Sequence, residues 1–167
     1  MKYFAIVIIF ISFISAFSEP PLREGIALGY MTTPNSIVYR STLSDESAGD
    51  FWLDLPEVSL GTESELRLGA GMGYAMFFSR HDDFALMFRP QVAFGYWEQT
   101  VKRGEISLGA IGAVVAYLDN IGLYDTDIIV GASLGSVMEI GENYTTFHIL
   151  LTRRSPFGIA AGVMYYF

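Results

Sequence analysis

The last eleven residues, Phe157 to Phe167, read FGIAAGVMYYF and set the pattern for the rest of the chain. Two sets of residues alternate along this stretch. The first set is Phe157, Ile159, Ala161, Val163, Tyr165 and Phe167, and the second is Gly158, Ala160, Gly162, Met164 and Tyr166. A period of two predicts a β-strand with two different faces. One face is apolar and ends in aromatic side chains, whereas the other is mostly small.

The same alternation recurs upstream, between short turns. It predicts strands at residues 24–31, 51–60, 64–78, 83–98, 105–118, 123–138 and 144–153, before a last strand at 157–167. Residues 33–50 are rich in Ser, Thr, Asp, Pro and Gly and show no sustained period, which indicates a loop. Eight antiparallel strands joined mostly by short turns predict an all-β, up-and-down barrel.

The two faces of the strands distinguish a soluble barrel from a membrane barrel. A face exposed to water should be about a quarter to a third charged. On the small face charges are few, and Gly, Ala and Ser dominate; the charges counted there are Glu65, Arg67, Arg89, Asp125 and Asp127. Small residues fill the narrow interior of an eight-stranded barrel, and an apolar face with interfacial aromatics suits lipid. We therefore predict a transmembrane β-barrel, with a soluble lipocalin-like ligand-binding barrel as the alternative.

Residues 1–18 have the three parts of a secretory signal peptide. A positive start at Lys2 precedes an almost wholly apolar run that extends to Phe17, and small residues place the cleavage site before Glu19. The alternative is a membrane-anchoring helix, but the run is shorter than the roughly 20 residues that span a bilayer. Residues 19–167 are then predicted to form a single barrel domain.

Composition excludes several classes of function. Without Lys2, the mature chain has 9 basic and 18 acidic groups, a net charge of −9, which argues against nucleic acid as a partner. The absence of cysteine excludes a disulfide framework, thiolate chemistry and a lipoprotein anchor. Glycines at 69, 71 and 73 lie in a strand with no helix after them, so we expect no dinucleotide and no other cofactor.

Charged residues that point into a barrel are costly unless they are paired. We predict a structural polar network in the lumen, with these members: Glu57, Arg67, Arg89, Gln91, Asp125, Asp127 and His148. Counting outward from a turn near Thr62 places Glu57 opposite Arg67. Such a network would plug the barrel, and a small gated pore is the alternative.

One predicted turn carries residue types that occur in enzymes. Ser79, His81, Asp82 and Asp83 lie together, so a hydrolase dyad or a weak divalent-cation site can be drawn. A polar turn explains the same residues. We predict no catalytic residue, no metal site and no enzymatic activity.

The signal peptide, the alternation over residues 19–167 and the terminal Phe167 resemble the small eight-stranded outer-membrane β-barrels of Gram-negative bacteria, the OmpA/OmpX-like and related porin-like families. The resemblance implies a monomer in the cell outer membrane that contacts outer-membrane lipid. It also implies that Phe167 is the assembly signal read by the barrel-assembly machinery, and that the role is structural, surface display or adhesion. With the termini in the periplasm, the 33–50 loop would be displayed outside.

The same resemblance predicts which turns lie on the periplasmic side of the membrane, and it suggests an enzymatic alternative. The turns at 61–63, 99–104 and 139–143 are predicted to be periplasmic. The alternative is a lipid-modifying hydrolase similar to the lipid A deacylases, in which His precedes Ser by two residues on a strand. Here Ser79 precedes His81 within a turn, so the match to that pattern fails.

Overall fold

A computed structural model describes residues 22–32, 35–59, 65–98, 102–150 and 158–167. The predicted signal peptide, residues 1–18, lies outside these ranges. No helix in the described part of the chain is both long and apolar enough to cross a membrane.

The described residues form one antiparallel sheet made of ten strand segments. These are β1 (Ile26–Thr32), β2 (Asn35–Ser44), β3 (Ser47–Asp54), β4 (Glu57–Ser59), β5 (Glu65–Phe78), β6 (Phe84–Glu98), β7 (Lys102–Tyr117), β8 (Thr126–Gly141), β9 (Thr145–Leu150) and β10 (Gly158–Tyr166). A short 3-10 helix, Asp119–Ile121, lies between β7 and β8.

The ten segments occupy eight strand positions around the barrel. β3 and β4 both pair with β5, and the interruption between them falls at Leu55 and Pro56, where proline cannot donate to the ladder. β9 and β10 both pair with β8, at its end and its beginning respectively. β10 also pairs with β1, so the eight-stranded antiparallel barrel is closed. The prediction of an all-β, eight-stranded barrel is confirmed.

The prediction of a loop over residues 33–50 is wrong. Its described part forms β2 and the first half of β3, joined by a turn at Asp45 and Glu46. Several polar residues that suggested a loop face the lumen: Ser36, Arg40 and Asp50 are fully buried. Because small and polar residues suit the interior of this barrel, their abundance did not indicate an irregular chain.

The strand count was right because two errors cancelled. The sequence prediction omitted β2, and it treated residues 144–153 and 157–167 as two neighbouring strands. In the structure β9 and β10 lie along the same partner strand, β8, so together they count as one.

The missing strand also reversed the predicted sidedness. The segment before β1 and Phe167 share one end of the barrel with the turns at 45–46, 79–83 and 118–125; we call this end the terminal rim. The opposite end, the distal rim, is where β1 ends and β2 begins, and where β8 ends and β9 begins. The turns at 61–63, 99–104 and 139–143 were predicted to share the side of the termini, and 61–63 and 99–101 lie outside the described residues. The strands that flank these turns end and begin at the distal rim, since one extra strand changes the direction of every later one.

The faces of the strands are arranged with the larger apolar side chains outside. Exposed ones include Ile26, Leu28, Ile37, Phe51, Leu53, Leu68, Met72, Phe88, Phe94, Leu108, Val130, Leu134, Ile159 and Val163. The lumen holds apolar side chains of mixed size together with buried charges, among them Ala27, Met31, Val38, Ala48, Ala75, Phe77, Met87, Ile111, Val115, Ile129, Met164, Arg40, Asp50, Arg89 and Asp127. Alternation therefore separates an apolar exterior from a mixed, tightly filled interior.

Two glycines on the adjacent strands β7 and β8 show how closely this interior is packed. A Cβ added to Gly131 would overlap the carbonyl oxygen of Gly112 and lie 2.6 Å from the Cα of Ala113, whereas a Cβ on Gly112 would meet nothing within 4 Å. We expect Gly131→Ala to lower the free energy of unfolding by about 1–3 kcal/mol through overpacking. Gly112→Ala, the matched control, should stay within about 0.5 kcal/mol of the parent. Urea unfolding followed by tryptophan fluorescence measures both, and equal effects would contradict the prediction.

Candidate functional site

A cluster of three charged side chains fills the middle of the lumen. Arg40 and Asp50 form a two-pronged ion pair, with Nε donating to Oδ1 at 2.7 Å and Nη2 to Oδ2 at 2.8 Å. Arg89 Nη1 donates to the same Oδ2 at 2.8 Å, and its Nη2 donates to Gln91 Oε1 at 3.0 Å. All three charged side chains have no exposed surface. Such charge-assisted, two-pronged bonds are short and directional, so the cluster holds β2, β3 and β6 together across the lumen.

Apolar and sulfur groups pack around this cluster. Arg89 Nη1 lies 3.2 Å from the Met31 sulfur, and the Arg89 guanidinium lies 5.2 Å from the ring centre of Trp52. Arg40 has the equivalent neighbours, the Met87 sulfur at 3.5 Å and the Phe77 ring at 5.2 Å. Rings and thioethers near guanidinium groups contribute cation–π and weak acceptor contacts. The cross-section of the lumen is therefore occupied by side chains at this level.

The segment before β1 closes the terminal rim. Gly25 has a φ of +113°, which a residue with a side chain rarely adopts, and this turns the chain from the wall across the mouth. Leu22 is buried there, and Thr42 Oγ1 donates to the Arg23 carbonyl at 2.7 Å. The Arg23 guanidinium pairs with Asp119 and reaches two further carboxylates: Asp125 at 3.3 Å and Asp127 at 3.1 Å.

We expect Arg23→Ala to destabilise the barrel from this end. The substitution removes hydrogen bonds to the partly exposed Asp119 and Asp125, worth about 0.2–1 kcal/mol each, and leaves the buried Asp127 with less compensation. The urea midpoint should fall, and Arg23→Lys should restore part of the loss because it keeps the positive charge. A midpoint unchanged by Arg23→Ala would show that the closure of the rim adds no stability.

The interior near the distal rim is charged and partly open to solvent. Glu105 and Glu139 lie directly opposite each other on β7 and β8, an arrangement that repels unless cations are near. Arg67 lies 4.0 Å from Glu105, and His148 lies 3.9 Å from Glu139. Trp97 lies between two guanidinium groups, with Arg67 at 5.7 Å and Arg103 at 5.8 Å from its ring centre. We call this region the vestibule.

The structure distributes the predicted polar network over three places. Arg89 and Gln91 belong to the central cluster, Asp125 and Asp127 to the terminal rim, and Arg67 and His148 to the vestibule. Glu57 pairs with Arg67 in the backbone register of β4 and β5, while its side chain lies outside the described part. Phe167 is exposed at the terminal rim, where its backbone N–H donates to the carbonyl of Ile26 at 2.9 Å.

Sequence reasoning missed the residues that form the strongest contacts. Arg40 and Asp50 fell within the segment predicted as a loop, and Arg23 lies before the first predicted strand. A signal was present in β2, where outward Ile37, Tyr39 and Leu43 alternate with inward residues. Glu105 and Glu139 were not singled out, although the alternation places both on the inner face.

The predicted turn with enzyme-like residues holds no serine–histidine pair. The Ser79 side chain is buried, and its Oγ has no hydrogen-bond partner. The His81 ring instead packs on Phe84, with 4.7 Å between ring centres, and Asn120 donates to Asp83. Across the described ranges, no three His, Asp or Glu side chains are grouped as a metal site requires. The geometry of this turn is therefore that of a polar connection between β5 and β6.

A comparison with known proteins finds no matching family model, no similar curated protein and no similar solved structure. The arrangement of side chains in this chain therefore carries the functional argument.

Proposed function

We propose that this protein is a small integral β-barrel of the cell outer membrane, exported by the signal peptide at residues 1–18. The observation that carries the proposal is the inverted distribution of side chains. Ion pairs with no exposed surface occupy the lumen, while large apolar side chains cover the outer face of the strands. Apolar surface of this extent is rare on monomeric soluble proteins and is the rule for barrels in lipid.

The positions of the aromatic side chains support the same proposal. Phe84 and Tyr165 are exposed near the terminal rim, and Tyr96 and Tyr144 are exposed near the distal rim. Aromatic girdles at both interfaces are a feature of membrane barrels. A lipocalin-like barrel would need the opposite arrangement, with its apolar cavity inside and its charges outside.

We propose a structural or surface-display role for this barrel, as a monomer whose Phe167 is recognised during assembly. Residues 35–50 form part of the barrel wall, and their turn at 45–46 lies at the terminal rim, so they do not form the displayed loop that the sequence suggested. With residues 22–25 in the periplasm, the distal rim and its vestibule would face outward. The exposed parts of such a scaffold would then be the ends of β5 to β9 together with the charged vestibule.

Fractionation of cells followed by electrophoresis of cold and boiled samples tests the proposal. We expect the protein in the outer-membrane fraction, and we expect its mobility in SDS to change on heating because a closed barrel resists detergent until boiled. A band in the aqueous fraction without a heat shift would favour the soluble alternative.

The filled lumen leads to a separate expectation for ion flow. Since Arg40, Asp50 and Arg89 occupy its middle and Arg23 closes its terminal rim, reconstituted protein should give no steady conductance in planar bilayers. Stable single-channel steps from protein purified to homogeneity would support the gated-pore alternative instead.

A further inference from the structure

The guanidinium group of Arg23 lies in a cage of carboxylates and aromatic rings at the terminal rim. The walls of this cage are Tyr117, Asp119, Asp125, Asp127 and Tyr166. Arg23 Nη1 lies 3.3 Å from Asp125 Oδ1, its Nε lies 3.1 Å from Asp127 Oδ1, and its Nη2 pairs with Asp119. The centres of the two tyrosine rings lie 5.6 and 5.7 Å from its Cζ. Each of the three nitrogen atoms therefore has a carboxylate of its own.

The walls of the cage belong to the barrel and are held in place by bonds that do not involve Arg23. They come from the end of β7, the 3-10 helix, the loop after it, the start of β8 and the end of β10. The Asp125 N–H donates to Asp119 Oδ1 at 3.2 Å, and the Asp125 carbonyl accepts the Tyr166 N–H at 2.8 Å. A site whose groups are fixed beforehand loses little conformational entropy when it binds a ligand.

Arg23 itself comes from a segment outside the sheet. Residues 22–25 are described, and they form no strand. Thr42 holds this segment, since its N–H donates to the Gly25 carbonyl at 3.0 Å and its Oγ1 donates to the Arg23 carbonyl at 2.7 Å. The guanidinium group therefore reaches the cage on a short tether and is not part of its wall.

The deep side of the cage requires a cation. Asp127 has only 1% of its side chain exposed, and a buried carboxylate is costly unless a cation pairs with it. Its direct ion pair is the one with Arg23, while Arg40 acts on it electrostatically from deeper in the lumen. Among the described residues, the buried Tyr166 hydroxyl has no hydrogen-bond partner of standard geometry, so it offers a further polar group beside the cation.

We propose that the cage is a binding site for the guanidinium group of an arginine within a peptide, and that Arg23 occupies it as a tethered ligand. An arginine of another chain takes the same place when residues 22–25 are withdrawn from the rim. An ammonium group is a poorer ligand because it is a compact point charge, whereas the guanidinium fork directs separate N–H groups to separate carboxylates. The walls belong to the barrel, so the inference holds whether lipid or water surrounds the outer face.

Chemical rescue of a truncated Arg23 tests the proposal. In Arg23→Ala the cage keeps its walls and loses its guanidinium group. We expect ethylguanidinium to raise the urea midpoint of this variant, with the folding constant increasing about elevenfold at ten times the dissociation constant. Nα-acetyl-arginine amide, which represents an arginine in a peptide, should act equally well. Free arginine should act less, because its carboxylate approaches the partly exposed Asp119 and Asp125.

Three controls make the rescue specific. Ethylammonium at the same concentration should change the folding constant less than twofold. Asp127→Asn, added to Arg23→Ala, should abolish the response to ethylguanidinium. Arg103→Ala removes a guanidinium group that lies beside the rings of Trp97 and Tyr144 near the distal rim, and this variant should not respond either.

Rescue that is absent, or that ethylammonium supplies equally well, overturns the proposal. Better rescue by free arginine than by the amide overturns the assignment to a peptide. If Arg23→Ala does not fold, Arg23→Gln, which keeps most of the side chain, takes its place. The yield of refolded Arg23→Ala with and without ethylguanidinium, judged by heat-dependent mobility, then gives a second decision on the same site.

Discussion

Asp50→Asn is expected to lower the free energy of unfolding by about 3–5 kcal/mol, the cost of leaving a buried charge without its partner. Asp50 accepts hydrogen bonds from Arg40 and Arg89, and the side chains of all three are fully buried. Without the carboxylate, two fully buried guanidinium groups remain side by side with no negative charge between them. Urea unfolding in detergent micelles, followed by tryptophan fluorescence, measures the loss.

Two further variants make this expectation specific. Asp45→Asn changes the same functional group in the exposed turn between β2 and β3 and should alter the stability by no more than about 0.5 kcal/mol. The triple variant Arg40→Met, Asp50→Leu, Arg89→Met replaces every charge of the cluster with an apolar side chain, which is often neutral or stabilising. It should therefore be more stable than Asp50→Asn alone. A triple variant as unstable as the single one would show that shape, and not unpaired charge, causes the loss.

The class of fold could be predicted because alternation with a period of two is a strong and local signal. In β5 and β6 it continues for about fifteen residues, since apolar side chains on the outer face alternate with an inner face that is mostly small in β5 and of mixed size in β6. β2 shows where this signal fails. Its inner face carries Ser36 and Arg40, so the segment has the composition of a loop, although apolar residues still occupy every second position on its outer face.

The ends of the strands could be predicted less well than their existence. β9 and β10 each show alternation, and nothing in their sequences states that both pair with β8. Pairing partners depend on contacts that are distant in the chain, whereas periodicity depends on neighbours alone. This error in strand pairing also placed the turns at the wrong end of the barrel, because each strand reverses the direction of the chain.

The type of candidate site could be predicted from the sequence, but the residues that form it could not. Burial of charge inside the barrel demands partners, and this argument led to a predicted network of inward Arg and Asp residues, of which Arg89 and Asp127 are buried. The pairing itself joins strands by register: Arg40 lies opposite Asp50 on β2 and β3, while Arg89 reaches the pair from β6. Such a three-strand contact requires the curvature of the closed barrel, which no count along the sequence contains.

For the membrane barrel proposed above, Leu134→Arg is expected to cost about 2–4 kcal/mol in a bilayer, the penalty for a cation at a lipid-facing position near the midplane. Leu134 lies near the middle of β8 and is 60% exposed on the outer face, so the substitution disturbs little packing inside the protein. In a water-soluble barrel the same exposed position would tolerate arginine within about 0.5 kcal/mol. The difference in the free energy of unfolding between the parent and Leu134→Arg in lipid vesicles should therefore be large for a membrane barrel and small for a water-soluble one.

Ile121→Arg provides the matched control for this substitution. Ile121 is 71% exposed and has an aliphatic side chain like that of Leu134. It lies in the 3-10 helix at the terminal rim, outside the strands. Near an interface the penalty for arginine falls to about 0–1 kcal/mol. A large cost at Leu134 with a small one at Ile121 requires a solvent that changes from hydrocarbon to water along the barrel axis. Equal and small costs at both positions would mean that water surrounds the whole barrel, and the outward apolar side chains would then need a protein partner to cover them.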